Sequence, residues 1–345
     1  MADGDNRLPE TLMLQAFEGL KNTVSKHRLA PSDLERAINI DLDDVGQLRR
    51  RRGYTLKLAG DFHSVANVGS LILGVKDGEL GIINPDYSFD GLGDTVGSER
   101  MSYVSVDDTI YWSNRLASGK LSVTARTTSA WGYPVSATEW HSQVITPTEY
   151  LTPIAGKLLS PPPTAQHLAY LNGRIYLASG QIIWATELYL YDYVDRTKNF
   201  IQYENEITGM GSLPGSLYVG TDEGVWYMSG PFGQMARKKV VTSPMLAGSM
   251  VRARASMIND RLRQTTDEAD VLLFLTDAGL VAGFDDGRCY NLTQDRFEFP
   301  TGEKVFPMLR EQDGISQYVA VVDHGGGASN NARIGDYVDA EIVRA

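Results

Sequence analysis

Cysteine is all but missing from this chain, and its one representative, Cys289, can form neither an intramolecular disulfide nor a two-cysteine metal site. Nothing basic adjoins it except Arg288, so its expected role is that of a small buried hydrophobe and not a reactive thiol. Positive charge is in deficit: 32 Lys and Arg against 43 Asp and Glu leave a formal net charge of −11. A surface that wraps nucleic acid needs a net basic face, so any contact with phosphate is expected to be local. Long apolar runs are lacking as well. No stretch approaches the ~20 apolar residues that cross a bilayer, and Met1 to Pro9 is polar and does not read as a signal peptide. The expectation is a soluble chain made in the cytoplasm, with no membrane insertion. Histidine numbers only 5, with no HExxH and no pair at helical ligand spacing, so no metal site and no cofactor is expected.

What the chain does have is glycine, 34 residues, together with 17 Tyr and 5 Trp, a balance that suits strands and tight turns. The stretch Ala37 to Tyr54 sets the pattern. Ile38, Ile40 and Leu42 alternate with Asn39, Asp41 and Asp43, the chain turns through Asp43-Asp44-Val45-Gly46, and a charged strand leaves through Arg49, Arg50, Arg51 and Arg52. A period of two with a glycine able to take positive φ predicts a β-hairpin. Asp41, Asp43 and Asp44 beside Gly46 look like a calcium loop, but no acidic residue occupies the twelfth position, and turn chemistry accounts for them.

Residues 1–36 before this hairpin read as an N-terminal arm. Phe17 and Leu20 are spaced only weakly for a helix, Gly19 and Pro31 interrupt the segment, and Ser32-Asp33-Leu34-Glu35 offers an N-cap followed by a carboxylate, predicting one or two short helices.

After Tyr54 the hairpin recurs. Leu71 to Val75 turns at Asp77-Gly78 into Leu80 to Ile83, Tyr103 to Val106 turns at Asp107-Asp108 into Ile110 to Trp112, and Leu168 to Leu171 turns at Asn172-Gly173 into Ile175 to Ala178 and on to Ile182 to Trp184. Leu217 to Gly220 leads into Val225 to Met228, and Val271 to Leu275 into Leu280 to Ala282 and Cys289-Tyr290. So many antiparallel ribbons in an open sheet would leave sticky edges, which argues for a closed architecture. The expected fold is all-β, a β-propeller over residues 37–345 with Tyr111, Tyr176, Tyr218 and Phe274 as blade anchors. Their irregular spacing leaves the blade number open between five and seven. Two stacked sandwich or barrel domains divided near Leu159 to Thr164 are the other arrangement the pattern allows.

Catalysis finds little footing. Glu204 with Glu206 near Tyr203, and Asp222 with Glu223 near Trp226, are carboxylate pairs at sites where solvated turns are expected. Gly325-Gly326-Gly327 lacks the Lys-Ser/Thr of a phosphate loop. A carbohydrate-binding or carbohydrate-cleaving propeller would present exposed aromatic rings, for which Trp131, Tyr133 and Trp140 are the candidates, although buried blade aromatics are the commoner use of such residues. The four arginines have three readings: a charged edge strand that blocks further pairing, an inter-subunit salt-bridge strip, or a local contact with nucleic acid in a channel.

The phrases FEGLKNTVS (Phe17 to Ser25), AINIDLDDVGQLRRRRGYTLKLAG (Ala37 to Gly60), His63-Ser64, VKDGELGIINPDYS (Val75 to Ser88) and MSYVSVDDTIYWSN (Met101 to Asn114) resemble the first half of a family of tailed-bacteriophage structural proteins. SLYVGTDEGVWYMSG (Ser216 to Gly230) and ARIGDYVDAEIVRA (Ala332 to Ala345) are similar to its second half. The resemblance implies a propeller of the tail hub or nozzle type, found in the virion tail and without catalytic residues. It implies copies of the chain in a ring of six beneath the portal and adaptor, contacts with the adaptor and other tail proteins, and transient passage of genomic DNA. Phe17, Leu20 and Arg49 to Arg52 would then face a neighbouring subunit or the DNA channel, and the arm would reach a neighbour. The carbohydrate-handling propeller at a tail tip, engaged with a host receptor, stands as the alternative.

Overall fold

The computed structural model describes residues 16–35, 40–42, 46–50, 55–132, 159–257, 269–293, 296, 304–312, 315–323 and 337–340. Within these residues the chain is built from antiparallel sheets laid down one after another. Sheet I holds Phe62–Val68, Leu71–Lys76, Glu79–Ile83 and Phe89–Thr95. Sheet II holds Ser102–Val106, Thr109–Ser113, Ser118–Ser122 and Thr127–Ala130, and sheet III holds His167–Leu171, Arg174–Ser179, Ile182–Ala185 and Phe200–Gln202. Sheet IV comprises Ile207–Leu213, Ser216–Thr221, Gly224–Ser229 and Ala236–Val241, and sheet V comprises Val251–Arg254, Asp270–Thr276, Gly279–Gly283 and Cys289–Asn291. Sheet VI has three strands, Lys304–Gln312, Ile315–Asp323 and Tyr337–Ala340.

The side-chain pattern explains why the sheets stack around an axis. Successive residues of a strand face opposite sides, and both sides of the second strands are buried. In sheet II, Ile110 and Trp112 pack with Leu73, Val75, Leu80 and Ile82 of sheet I, while Tyr111 packs with Leu168, Ile175 and Leu177 of sheet III. In sheet III, Tyr176 and Ala178 turn the other way, onto Leu217, Val219 and Met228 of sheet IV. Tyr218 then meets Leu272 and Phe274 of sheet V, whose Leu273 and Leu275 pack with Val305, Tyr318 and Ala320 of sheet VI. Sheets II to V thus each fill the space between two neighbours, which is the packing of a β-propeller. It also explains why these strands read as continuous apolar runs where a solvent-facing sheet would alternate.

The turns follow their chemistry. Asn172 and Gly173 have φ of 49° and 74°, and Asp77 and Gly78 have φ of 53° and 85°, the paired left-handed conformation that matches the twist of a two-residue hairpin. In sheet II, Gly119 lies opposite Trp112, and a Cβ there would run into the indole ring. The Pro-rich stretch near Leu159 does not divide two domains. Leu159–Ser160 pairs with Val194–Asp195, and the Ala165 amide donates to Ser113 Oγ at 2.8 Å, so the prolines join sheet II to sheet III.

Residues 16–35 differ from expectation. The helix expected from Ser32 is instead the strand Asp33–Leu34, paired in parallel with Gly19–Leu20; one 3-10 turn, Lys26–Arg28, is the helical piece among the described residues of the arm. A tertiary contact overrides the cap signal. The Arg296 guanidinium donates to Asp33 Oδ1 at 3.0 Å, to Glu18 O at 2.7 Å and to Glu18 Oε2 at 3.2 Å, and Asn22 N donates to Arg296 O. The described part of the arm therefore lies against its own chain. The hairpin Ile40–Leu42 with Leu48–Arg50 forms in the register Leu42 to Leu48, and Gly46 takes φ +79° where Ala16 and Phe17 cross it. Asp41 ties the hairpin to sheet VI by a 2.6 Å ion pair with Arg310. The expected division between residues 36 and 37 lies outside the described residues.

Candidate functional site

Of the four arginines, Arg49 and Arg50 are exposed on Leu48–Arg50, with Arg49 opposite Asp41 and Arg50 opposite Ile40. Arg51 and Arg52 lie outside the described residues, as do Tyr133 and Trp140. Phe17 and Leu20 are half-buried: the Phe17 amide donates to Gly46 O at 2.8 Å, and Leu20 stands beside Leu34.

The structure overturns Trp131 as a ring for sugar stacking. It is only 4% exposed, its Nε1 donates to Tyr191 O at 2.8 Å, and its ring lies 5.0 Å from that of Tyr111 inside the packing between sheets II and III. Glu204 and Glu206 are not brought together either. Glu204 and Glu223 line a surface groove at the edges of sheets III and IV, while Glu206 faces the central axis and accepts from Arg115 Nη2 at 2.6 Å. In that groove Arg237 lies over Tyr203 and Lys239 over Trp226, 5.6 and 5.3 Å from the ring centroids, so both aromatic rings already carry a cation. Cys289 is half-buried beside the Tyr218 hydroxyl, and burial pushes its thiol up to about 11, which keeps it protonated.

Two features emerge that sequence reasoning missed. The first concerns the outer strands, which end the sheet order with no further strand paired among the described residues. Those of sheets II, III and V are four, three and three residues long, whereas Phe89–Thr95 in sheet I has seven and Ala236–Val241 in sheet IV has six. The two long edges carry opposite charge. Sheet I presents Asp90, exposed, while Asp94 on the same strand has one carboxylate oxygen buried; sheet IV presents Arg237, Lys238 and Lys239, the first two exposed. They stand three sheets apart around the axis.

The second is a cavity of about 460 Å³ on the axis, where the inner strands converge. It is lined by His63 and Ser64 of sheet I, by Arg100 and Arg115 flanking sheet II, by His167 of sheet III, and by Glu206 and Thr208 at the start of sheet IV. Arg100 crosses this space. Its Nη1 donates to Val305 O at 2.7 Å and its guanidinium lies 5.9 Å from the Phe306 centroid, over Gly248, where a side chain would collide with it. Loss of hydration holds its pKa below the usual arginine value. His63 Nε2 donates to Gly97 O at 3.0 Å, which leaves Nδ1 to accept the Ser64 hydroxyl at 2.9 Å. Ser64 sits at φ 55° on a bulge of the first strand, and its Oγ also accepts from the Met101 amide. His167 is pulled down to about 4, first by loss of hydration and then by the positive charges of Arg100 and Arg115.

Among the described residues no cluster of His, Cys, Asp or Glu could hold a metal ion, and no helix is long and apolar enough to cross a membrane. No protein-family model and no curated protein matches the chain. Three solved structures illustrate the likeness at the level of the fold. The N-terminal domain of Nup159 is 11% identical with a TM-score of 0.45, over 77% of this chain and 74% of that one. BBS1N, solved in complex with ARL6DN, is 12% identical with a TM-score of 0.44, over 74% and 73%. The Neurospora crassa Pan2 WD40 domain is 8% identical with a TM-score of 0.43, over 76% and 72%. The class of this protein, a β-propeller, rests on its own strand pairing and inter-sheet packing.

Proposed function

We propose that this chain is a non-enzymatic structural protein of a tailed-bacteriophage virion, a tail hub or nozzle component that assembles into a homo-oligomeric ring below the portal and adaptor. The observation that carries the ring is the opposite charge of the two long free edges. A head-to-tail contact between different patches of one molecule closes into a ring when its rotation allows. The acidic edge of sheet I in one copy and the basic edge of sheet IV in the next form such a contact, and edge strands are ready to pair. The family resemblance supplies the virion setting.

In this reading the genome passes through the middle of the ring and not through the propeller axis. A space of about 460 Å³ crossed by Arg100 is too small for a duplex whose major groove alone is ~12 Å wide. The net charge of −11 disfavours DNA sticking to the wall. Arg49 and Arg50, exposed on a hairpin anchored by Asp41 and Arg310, are the local basic contacts. Burial of Trp131 weakens the carbohydrate alternative.

Charge reversal tests the edge contact. Arg237→Glu with Lys238→Glu should abolish oligomers seen by native mass spectrometry, and adding Asp90→Lys should restore them. Oligomers unaffected by the reversal would count against this pairing of edges.

A further inference from the structure

We propose that the axial cavity is a binding site for a small oxyanion, a carboxylate or phosphate group, held by Arg100 with the Thr208 hydroxyl and the His167 imidazole. The proposal goes beyond the role of the protein in a ring and does not rest on it.

Three groups that face the cavity are left short of partners. Among the described residues Arg100 has no carboxylate, only the Val305 carbonyl and the Phe306 ring. A guanidinium presents five N–H donors in a fork that fits an oxyanion, so most of its capacity is unspent. Thr208 Oγ1 is buried with no hydrogen-bond partner. Buried polar atoms in folded proteins are nearly always satisfied by protein, water or ion, so an orphan hydroxyl on a cavity wall marks a place for a bound group. The His167 ring makes no hydrogen bond among the described residues although it lines the same space. The volume falls within the ~300 to 1,000 Å³ of small-ligand pockets.

The other charges facing the cavity set the sign of the pH dependence. Arg115 is paired with Glu206 at 2.6 Å, and Glu99 and His63 also line the cavity, neither of them bonded to Arg100 among the described residues. An anion between Arg100 and His167 opposes the loss of hydration and the arginine charges that together hold His167 below its usual value, so binding takes up a proton and tightens as the pH falls. Tyr318, whose hydroxyl donates to Ser249 O, stays a neutral phenol because burial raises its pKa.

Full-length protein titrated with inorganic phosphate, and separately with acetate and succinate, tests this. The imidazole proton resonance of His167, which titrates at about pH 4 in the free protein, should titrate at higher pH with the anion present, and binding should strengthen as the pH falls toward that value. Response to all three probes identifies a general oxyanion site, and response to phosphate or to the carboxylates alone identifies its source; each outcome supports the proposal. Arg100→Gln should weaken binding by roughly tenfold or more, as expected for loss of a charged hydrogen-bond donor, while Arg126→Gln at the surface changes nothing. An unmoved His167 resonance in wild-type protein at tens of millimolar of every probe overturns the proposal whether or not Arg100→Gln folds.

Discussion

His167 shows how a single residue ties the fold to pH. Its value is about 6.5 in an unfolded chain and about 4 in the folded protein. Between these values the unfolded chain holds a proton that the folded one does not. Stability is therefore fullest above about pH 6.5 and declines as the pH falls toward 4. Urea midpoints measured across that window should fall less steeply for His167→Gln than for wild type; equal slopes would show that the imidazole is not held neutral. Such a role could not be read from sequence. His167 is one of five scattered histidines, and what surrounds it, Arg100 and Arg115, comes from different points of the chain. Trp131 makes the same point in reverse. As sequence it stood only as a candidate for glycan contact, whereas the distant Tyr111 and Tyr191 decide its burial.

At the scale of elements, hairpins were legible because their signals are local. Asn172-Gly173 and Asp77-Gly78 dictate the backbone of their own turns, and each falls between two apolar runs that pair across it. The arm was not legible, because its conformation is set by Arg296, far along the chain. The Asp33 side chain is only 2% exposed, so removing its guanidinium leaves a carboxylate largely cut off from water. Loss of one partner from a buried ion pair costs ~3 to 5 kcal/mol. Because Arg296 itself is partly exposed and Lys21 Nζ still lies 3.7 Å from Asp33 Oδ2, the cost does not exceed the lower end. Arg296→Ala should let the amides of Glu18 and Lys21, which bond to Ser32 O and Leu34 O, exchange with solvent ~100-fold faster while sheets I to V keep their protection. Unchanged exchange at those two amides would mean that the strand pair Gly19–Leu20 and Asp33–Leu34 stands without its anchor.

Over the whole molecule, the sheets form a stiff block because every blade is also its neighbour's core: Tyr176 serves sheet IV from sheet III, and Leu273 serves sheet VI from sheet V. Closure of repeated ribbons was inferable from the cost of open edges, but the blade anchors did not tell which edges remain free or how they are charged. That depends on strand order, and it is what places Asp90 and Lys238 three sheets apart on one rim. We propose that copies of this block meet edge to edge in a ring of a phage tail. Electron cryomicroscopy of virions carrying a tag on this chain tests it most directly. The predicted result is a closed ring of labelled propellers beneath the portal, each with its Phe89–Thr95 edge against the Ala236–Val241 edge of the next; virions without the label, or labelled copies that stand singly, would contradict the account.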